Sequence, residues 1–496
     1  MNVFRTKSVE ASIAETVEPE HQLRRTLTAL DLTVFGVGVV IGAGIFTLTG
    51  RVAAQYAGPG VVFSFAIAAF CCALAALCYA EFASAVPVAG SAYTFSYATL
   101  GELVAWIIGW DLLLELLLGA SVVAQGWSSY FVALLGELGA TWPAGIGPGS
   151  DFNLAAFLMV ALIGALVCYG IKESLRVNLV LVGLKLFVVL FVIVAGIGFI
   201  DKDNYSPFVP DAAGSVGAAG SWLHAPLVQT LFGIEPQVFG ILGIVSAASV
   251  VFFAYIGFDV VATTAEEARN PQRDLPVGIL GSLAICTVLY VAVALVITGM
   301  VPYDEINPDA ALANAFLEHG KDGYATLISA GAVAGLTTVV MTLMIGAVRV
   351  VFAMSRDGLL PESLARVTAR TGTPLRTSVG ITVLVALVAS LTPIGKLEEM
   401  VNIGTLSAFA LVSLAVPVLR RTRPDLPRSF RVPLSPVLPV ASALVCLYLM
   451  LNLSAETWLR FLVWMLVGFA IYFGYGYRNS RVGTTNEAAA DAHLGQ

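Results

Sequence analysis

Residues 36–50 read GVGVVIGAGIFTLTG and lie inside an apolar stretch, residues 30–52, long enough to cross a bilayer. Two glycine pairs fall here, Gly36/Gly38 and Gly42/Gly44, the second near the middle of the stretch. Glycine is among the poorest residues for a helix interior. Two of them at i and i+2, with no bulky neighbour on their face, predict that the helix unwinds locally. In lipid, unwound backbone is tolerated only where it is buried in protein or lines a cavity. Free N–H and C=O groups are therefore expected at membrane depth, facing something other than lipid. Close helix packing is the competing explanation for such glycines, and it weighs more for Gly36 and Gly38 than for Gly42 and Gly44. A dinucleotide-binding loop is excluded, because the spacing is GxGxxxG and no βαβ unit surrounds it.

The rest of the chain carries the same signature. Of its 496 residues 58% are hydrophobic and 12% charged, where soluble domains carry about 25% charged residues; the mean hydropathy is +0.87. An all-α polytopic membrane protein is expected. Apolar stretches of spanning length run 30–52, 58–84, 101–134, 153–171, 177–200, 239–264, 276–300, 324–353, 377–393, 399–419, 434–452 and 456–476, which predicts about twelve transmembrane helices. The first 28 residues are polar and acidic without an apolar core, so no signal peptide is expected. The tail after Arg481 reads as disordered. With the N-terminus in the cytoplasm, nineteen Lys and Arg residues fall inside and five outside: Arg51, Lys202, Lys321, Lys396 and Arg460. That asymmetry predicts both termini on the cytoplasmic side of a plasma membrane, the inner membrane if the source is bacterial. All six cysteines lie in apolar stretches and read as packed side chains, with no disulfide and no metal site expected. Asn204-Tyr205-Ser206 is a glycosylation sequon in an outside loop.

The stretches divide as five, five and two. A cytoplasmic tail over 1–28 precedes a first unit, 29–200; a second unit covers 239–419, two further helices lie within 434–476, and a cytoplasmic tail runs 477–496. The first stretch of the second unit contains FFAYIGFDVVATTAEE, with Gly257 inside it and polar Asp259, Thr263 and Thr264 beyond. Interrupted helices at corresponding positions of two halves are the best sequence pointer to a transport site, and an odd number of spans per half gives the halves opposite orientation.

Four blocks then become recognisable in order: GVGVVIGAGIF, ALCYAEFASAVPVAGSAYTFSYATLGELVAWIIGWDLLLE, FFAYIGFDVVATTAEEARNPQRDLP and RVVFAMSRDGLLP. Together they resemble the cationic amino acid transporter family of the amino acid–polyamine–organocation superfamily, over roughly residues 25–432. The resemblance implies a LeuT-like fold, a 5+5 inverted repeat plus two helices, with the substrate between the first and sixth helices. It implies movement of L-amino acids across the plasma membrane, coupled to protons in several bacterial relatives. It leaves the substrate open, since bacterial proteins resembling this family often take small neutral amino acids.

An amino acid zwitterion needs donors for its carboxylate and acceptors for its ammonium. Free N–H groups at Gly42, Ala43 and Gly44, reinforced by the positive end of the following half-helix, suit the carboxylate. Carbonyls freed at Ile41 and around Phe252, Ala254, Tyr255 and Ile256 suit the ammonium. Members of the family often carry a hydroxyl or a small residue where Ala43 stands. Phe252 resembles the family's aromatic gate.

Lys185 lies about eight residues inside the fifth stretch, where a central lysine costs at least ~2.5–3.5 kcal/mol. Snorkelling is the simpler explanation. The resemblance favours function: in related proton-coupled carriers a lysine here occupies the position of a sodium site, and it would bind and release the coupling proton. Glu115 and Asp111 share one helical face at i and i+4; Glu115 either belongs to a structural or proton network or faces a cationic substrate side chain. Asp259 is placed to cap the half-helix that follows it and to face the substrate route. Arg349, Arg356 and Asp357, with Glu266, Glu267, Arg269 and Arg273, are either gate pairs at the cytoplasmic end or solvated charges that set the topology.

A channel would call for a repeated pore ring or filter. A membrane enzyme would need clustered His, Cys or carboxylates, and His21, His224, His319 and His493 all lie outside the apolar stretches. No enzymatic activity, cofactor or nucleic-acid partner is expected; the expected partners are an L-amino acid and the lipid bilayer, with protons as coupling ion. An exchanger, which needs no coupling ion, and a receptor that binds amino acids without turnover are the alternatives.

Overall fold

A computed structural model describes residue 5 and residues 26–85, 91–170, 175–214, 222–233, 237–368 and 372–483, without the side chains of residues 91, 95, 98, 175–179, 263, 265 and 266. The tail beyond residue 483, most of the tail over 1–28, and Lys7, Arg24, Arg25, Lys172 and Arg370 of the topology count lie outside the described residues.

Each apolar stretch carries helix. In chain order these are α1 (Ala29–Val40), α2 (Val61–Ala85), α3 (Glu102–Glu137), α4 (Leu154–Cys168), α5 (Leu175–Gly196), α6 (Gly240–Val251), α7 (Pro271–Met300), α8 (Asp322–Arg356), α9 (Leu375–Leu391), α10 (Ile394–Thr422), α11 (Val437–Leu451) and α12 (Ala455–Ile471). Among the described residues eight helices are long and apolar enough to cross a membrane, and α1, α4, α9 and α11 are shorter apolar helices. The shortness of α1 follows from its break. It begins at a capping box, in which Thr28 N–H donates to Asp31 Oδ2 at 2.9 Å and Thr28 Oγ1 accepts from Asp31 N–H. It ends where Ile41 turns extended, with φ −70° and ψ 91°. The chain re-enters helix as a π-helical turn, Gly44–Leu48, and continues through Thr49–Val52 and Ala53–Ala57.

α6 stops in the same manner. A 3-10 turn, Phe252–Tyr255, gives way to extended Ile256 and to Gly257 at φ +115°, and a second 3-10 segment runs Asp259–Glu267. At that φ a side chain would be strained, so the bend requires glycine.

The helices pack in two sets: α1, α2, α6 and α7 against one another, and α3, α4, α8 and α9 against one another. α5 touches α1 and α7 of the first set and α8 of the second; α10 lies against α2 and α3. In α3, 89% of the most apolar window is buried within the protein, against 22% in the helix running Ala455–Asn479. α3 is thus a central strut, and α12 turns Leu459, Leu462 and Leu466 outward. The six cysteines are free thiols; Cys71 of α2 and Cys446 of α11 sit 3.7 Å apart, Sγ to Sγ. Asn204 of the sequon donates from Nδ2 to the carbonyl of Gly299 at 2.8 Å.

Candidate functional site

The two interruptions meet. A Cβ on Gly44 would overlap Cα and Cβ of Ala254, so the start of the π-helical turn presses directly on the 3-10 turn after α6. Gly42 differs: its Cβ would meet only Val339 of α8, at an ordinary 3.5 Å. Gly36 and Gly38 belong to packing. A Cβ on Gly36 would come within 2.6 Å of Ser282 Oγ on α7, and one on Gly38 would overlap Val182 of α5. The first pair therefore seats α1 against its neighbours, and only the second adjoins the break.

Ile41, Gly42, Ala43 and Gly44 are all buried. A helix start has no preceding turn to accept its first N–H groups, and the turn that opens at Gly44 begins directly against Ala254 without a side-chain cap. Downstream, the carbonyl of Ala43 accepts Thr47 Oγ1, and Tyr130 of α3 donates from Oη to the carbonyl of Phe46 at 2.7 Å.

On the α6 side, Phe252 is fully buried and packs edge-on to Phe409 of α10, with ring centroids 5.8 Å apart. Phe409 also meets Phe258 and Tyr79, so four rings form one aromatic cluster that includes Phe252. Tyr255 turns away, donating from Oη to the carbonyl of Phe65 on α2 at 3.1 Å; only its backbone is left to line the site. The amide of Ile256 donates back to the carbonyl of Phe253 at 3.1 Å.

Two residues that local sequence reading did not single out hold the freed carbonyls. Tyr290 of α7 points Oη at the carbonyls of Val40, 2.7 Å, and Ala254, 2.8 Å, one from each interruption. Asn402 of α10 donates from Nδ2 to the carbonyls of Ser249, 2.8 Å, and Val250, 3.2 Å, at the end of α6. Tyr290 sits in the apolar run VLYVAVALV, and Asn402 among Glu398, Glu399 and Thr405 of α10; an unpaired buried polar group is costly, and that cost is the signal by which they could have been sought.

Lys185 is 1% exposed, and its Nζ donates to the carbonyl of Gly38 at 2.8 Å. Its stem runs past Gly335 of α8, where any Cβ would meet Lys185 Cγ at 2.8 Å. Snorkelling is thereby removed as an explanation, since the ammonium is spent on backbone inside the protein. Glu115, Asp259 and Asp111 are buried together: Glu115 lies within electrostatic reach of Asp259 and Asp111, beside Thr405. Asp111 Oδ2 accepts Ser407 Oγ at 2.6 Å. Asp259 is buried at the start of the segment it opens, and its Oδ1 has no hydrogen-bond partner among the described residues.

The candidate gate pairs come out differently. Arg269, Arg273, Arg349 and Arg356 are exposed; Arg269 Nε donates to the carbonyl of Thr26 at 3.1 Å, and Asp357 accepts Tyr93 Oη at 2.8 Å. The side chain of Glu266 lies outside the described residues. Other residues build the ion pairs of this end. Glu81 of α2 takes both arms of Arg420, at 2.8 and 2.6 Å, and the amide of Val432 at 2.7 Å; Glu102 of α3 takes Arg5. Desolvation explains the difference: Glu81 and Glu102 are buried, where a close cation offsets much of the cost of the charge, whereas exposed charges gain little from pairing. At the opposite end Arg51 pairs with buried Glu398 of α10.

The family model described as "Amino acid permease" matches residues 27–472. A methylthioribose transporter of Bacillus subtilis (strain 168) is 45% identical over 97% of this chain and 99% of its own length. A branched-chain amino acid permease of the same organism is 46% identical, again over 97% and 99%. A vacuolar cationic amino acid transporter of Arabidopsis thaliana is 37% identical over 86% of this chain and 68% of its own. The chain, with its paired helix interruptions, belongs to the amino acid permease family of the amino acid–polyamine–organocation superfamily.

Proposed function

We propose that the protein is a proton-coupled symporter of L-amino acids with uncharged, branched side chains. It works by alternating access in a 5+5 inverted-repeat, LeuT-like fold, with the Arg5 end in the cytoplasm. The observation that carries the reading is the junction of two interrupted helices at Gly44 and Ala254. The substrate carboxylate is read by N–H groups of Gly42, Ala43 and Gly44, and the ammonium by carbonyls at Ile41 and the end of α6. The side chains of residues 41–44 and 252–256 are uncharged, and the permease at 46% identity is a branched-chain one; both support a neutral substrate.

Lys185 is the coupling residue. Protonated, it holds α5 to the carbonyl of Gly38. Deprotonated, it loses the charge that makes that bond strong and frees α1 to open toward the cytoplasm. The test is uptake of labelled isoleucine into proteoliposomes, at matched pH and then with the outside acidic, with alanine, arginine and methylthioribose as competitors. At least fivefold stimulation by the gradient is expected, lost in Lys185→Ala while isoleucine binding persists. Uptake without stimulation would replace symport by exchange, and binding without uptake would make the protein a receptor.

A further inference from the structure

Where α10 ends and the loop to α11 begins, the chain reads RRTRPDLPRSFR over residues 420–431, five arginines with one acidic residue, Asp425. Two of the arginines build the loop. Arg420, which grips Glu81 of α2, also donates from Nη2 to the carbonyl of Val432 at 2.8 Å. Arg428 gathers carbonyls from both sides of the turn: Nη1 donates to Leu426 at 3.0 Å, and Nη2 to Arg423 at 2.7 Å and Leu419 at 3.2 Å. Ser429 donates from Oγ to the carbonyl of Gln272 at 2.7 Å, which fastens the loop to the start of α7 beside Arg273. The loop is thus braced against α2, α7 and α10.

What the braced loop presents is surplus positive charge. Its arginines share two carboxylates: Glu81 stands by Arg420 and Arg428, and Asp425 by Arg423. Arg421 and Arg431 are exposed and flank the Arg420–Val432 contact in sequence. Among the described residues neither has a carboxylate within ion-pair distance. Arg273 is exposed as well. Three residues past Arg431, Leu434 stands at φ +51°, a left-handed conformation that costs a leucine energy, and is 78% exposed. From there Val437, Val440, Leu444 and Leu447, spaced by three and four residues, form one exposed apolar stripe along α11. A cationic head and an apolar track therefore adjoin.

We propose that this loop and the α11 stripe bind an anionic phospholipid, its phosphate between Arg421 and Arg431 and an acyl chain along α11 from Leu434. Setting topology needs positive charge alone; it needs neither a braced loop nor a leucine held outward. A free phosphate or a nucleotide would use the arginines and leave Leu434 without a role. Placing the lipid in the cytoplasmic leaflet, where anionic lipids give the surface its negative potential, rests on the orientation proposed above. The binding itself does not.

The experiment is native mass spectrometry of the full chain released from micelles that hold equal amounts of phosphatidylglycerol and phosphatidylcholine. The wild type should retain phosphatidylglycerol at least fivefold over phosphatidylcholine. A basic residue beside an anionic headgroup is worth roughly fivefold, so Arg421→Ala/Arg431→Ala should abolish the preference. Both side chains are exposed, so the variant keeps the braced loop. Arg349→Ala/Arg356→Ala removes the same charge from exposed positions elsewhere on this end and should keep the preference. Leu434→Ser should lower phosphatidylglycerol retention about threefold. Equal retention of the two lipids by the wild type overturns the site, as does a preference that survives Arg421→Ala/Arg431→Ala. Equal losses in the two double variants reduce it to net charge and overturn it too. Displacement of the lipid by millimolar inorganic phosphate, with Leu434→Ser behaving as wild type, makes it a soluble-anion site and overturns the lipid assignment. None of these readouts depends on transport: absent isoleucine uptake beside an arginine-dependent preference would sink the transport reading and leave the lipid site standing.

Discussion

The two interruptions look alike in outline and differ in electrical sign. After α1 the chain re-enters helix at Gly44 with no acidic residue in its first turn and no side-chain cap, so the positive end of that helix is not offset locally by a carboxylate. After α6 the corresponding re-entry begins at Asp259, which places a buried carboxylate in its first turn. This difference supports the proposal that a substrate carboxylate binds at the first break and not at the second. What the second break offers is carbonyl oxygen, steadied by Tyr290 and Asn402. One glycine-containing device, repeated, becomes a donor end and an acceptor end through a single acidic residue. In the proposed site that would orient a zwitterion by backbone groups, the side chains of residues 41–44 and 252–256 being uncharged.

The largest expected effect comes from the donor end. Gly44→Val drives two methyl groups into the backbone of Ala254, and isoleucine uptake should fall more than a hundredfold. Gly42→Ala meets only Val339 at 3.5 Å and should keep uptake within about threefold, the ~1 kcal/mol helix preference for alanine working slightly against the unwound form. Uptake assays on both variants settle it: equal damage would mean the pair acts as flexible backbone, and equal tolerance would remove the junction as the site.

The acceptor end gives a smaller effect. Asp259→Ala removes a cap and should cost about 1 kcal/mol of stability, read as a lowered melting temperature, together with a three- to tenfold loss of isoleucine affinity. Asp259→Asn keeps the capping oxygen and should recover the stability but not all of the affinity. If asparagine restores both, the charge of Asp259 plays no part in setting the sign of the second break.

Much of this was legible in the sequence, and what was not has a common cause. Helix positions follow from hydropathy, which is local. Both interruptions follow from glycines and polar residues in apolar surroundings, also local. The Lys185 contact could be anticipated because a mid-membrane ammonium has to find oxygen. Packing glycines and unwinding glycines, by contrast, have the same letters: Gly36 and Gly38 sit against Ser282 and Val182, and nothing near them in sequence says so. The ion pairs join residues 97 apart for Arg5 with Glu102 and 339 apart for Arg420 with Glu81, where periodicity carries no information. Glu81 and Glu102 did announce themselves as carboxylates in apolar runs, CYAEFAS and GELVAW. Arg349 and Arg356, which are exposed, fit the solvated role better than that of gate pairs, because burial and not charge count decides which pairs form.

The smallest effect bears on the substrate. Glu115 is buried beside Asp259, Asp111 and Thr405, on the acceptor side of the comparison. If the protein carries neutral amino acids, Glu115 serves the acidic surroundings of the second break as a whole. Glu115→Gln should then weaken alanine, isoleucine and arginine binding alike, by about two- to threefold, since every substrate presents the same ammonium. If instead Glu115 receives a cationic side chain, arginine and lysine should lose tenfold or more while alanine changes little, because only they would leave a desolvated charge without its partner. Competition binding with these four amino acids on the wild type and on Glu115→Gln separates the cases. A selective loss for arginine and lysine would move the protein's substrate class from neutral to cationic while leaving the donor end at Gly44 untouched.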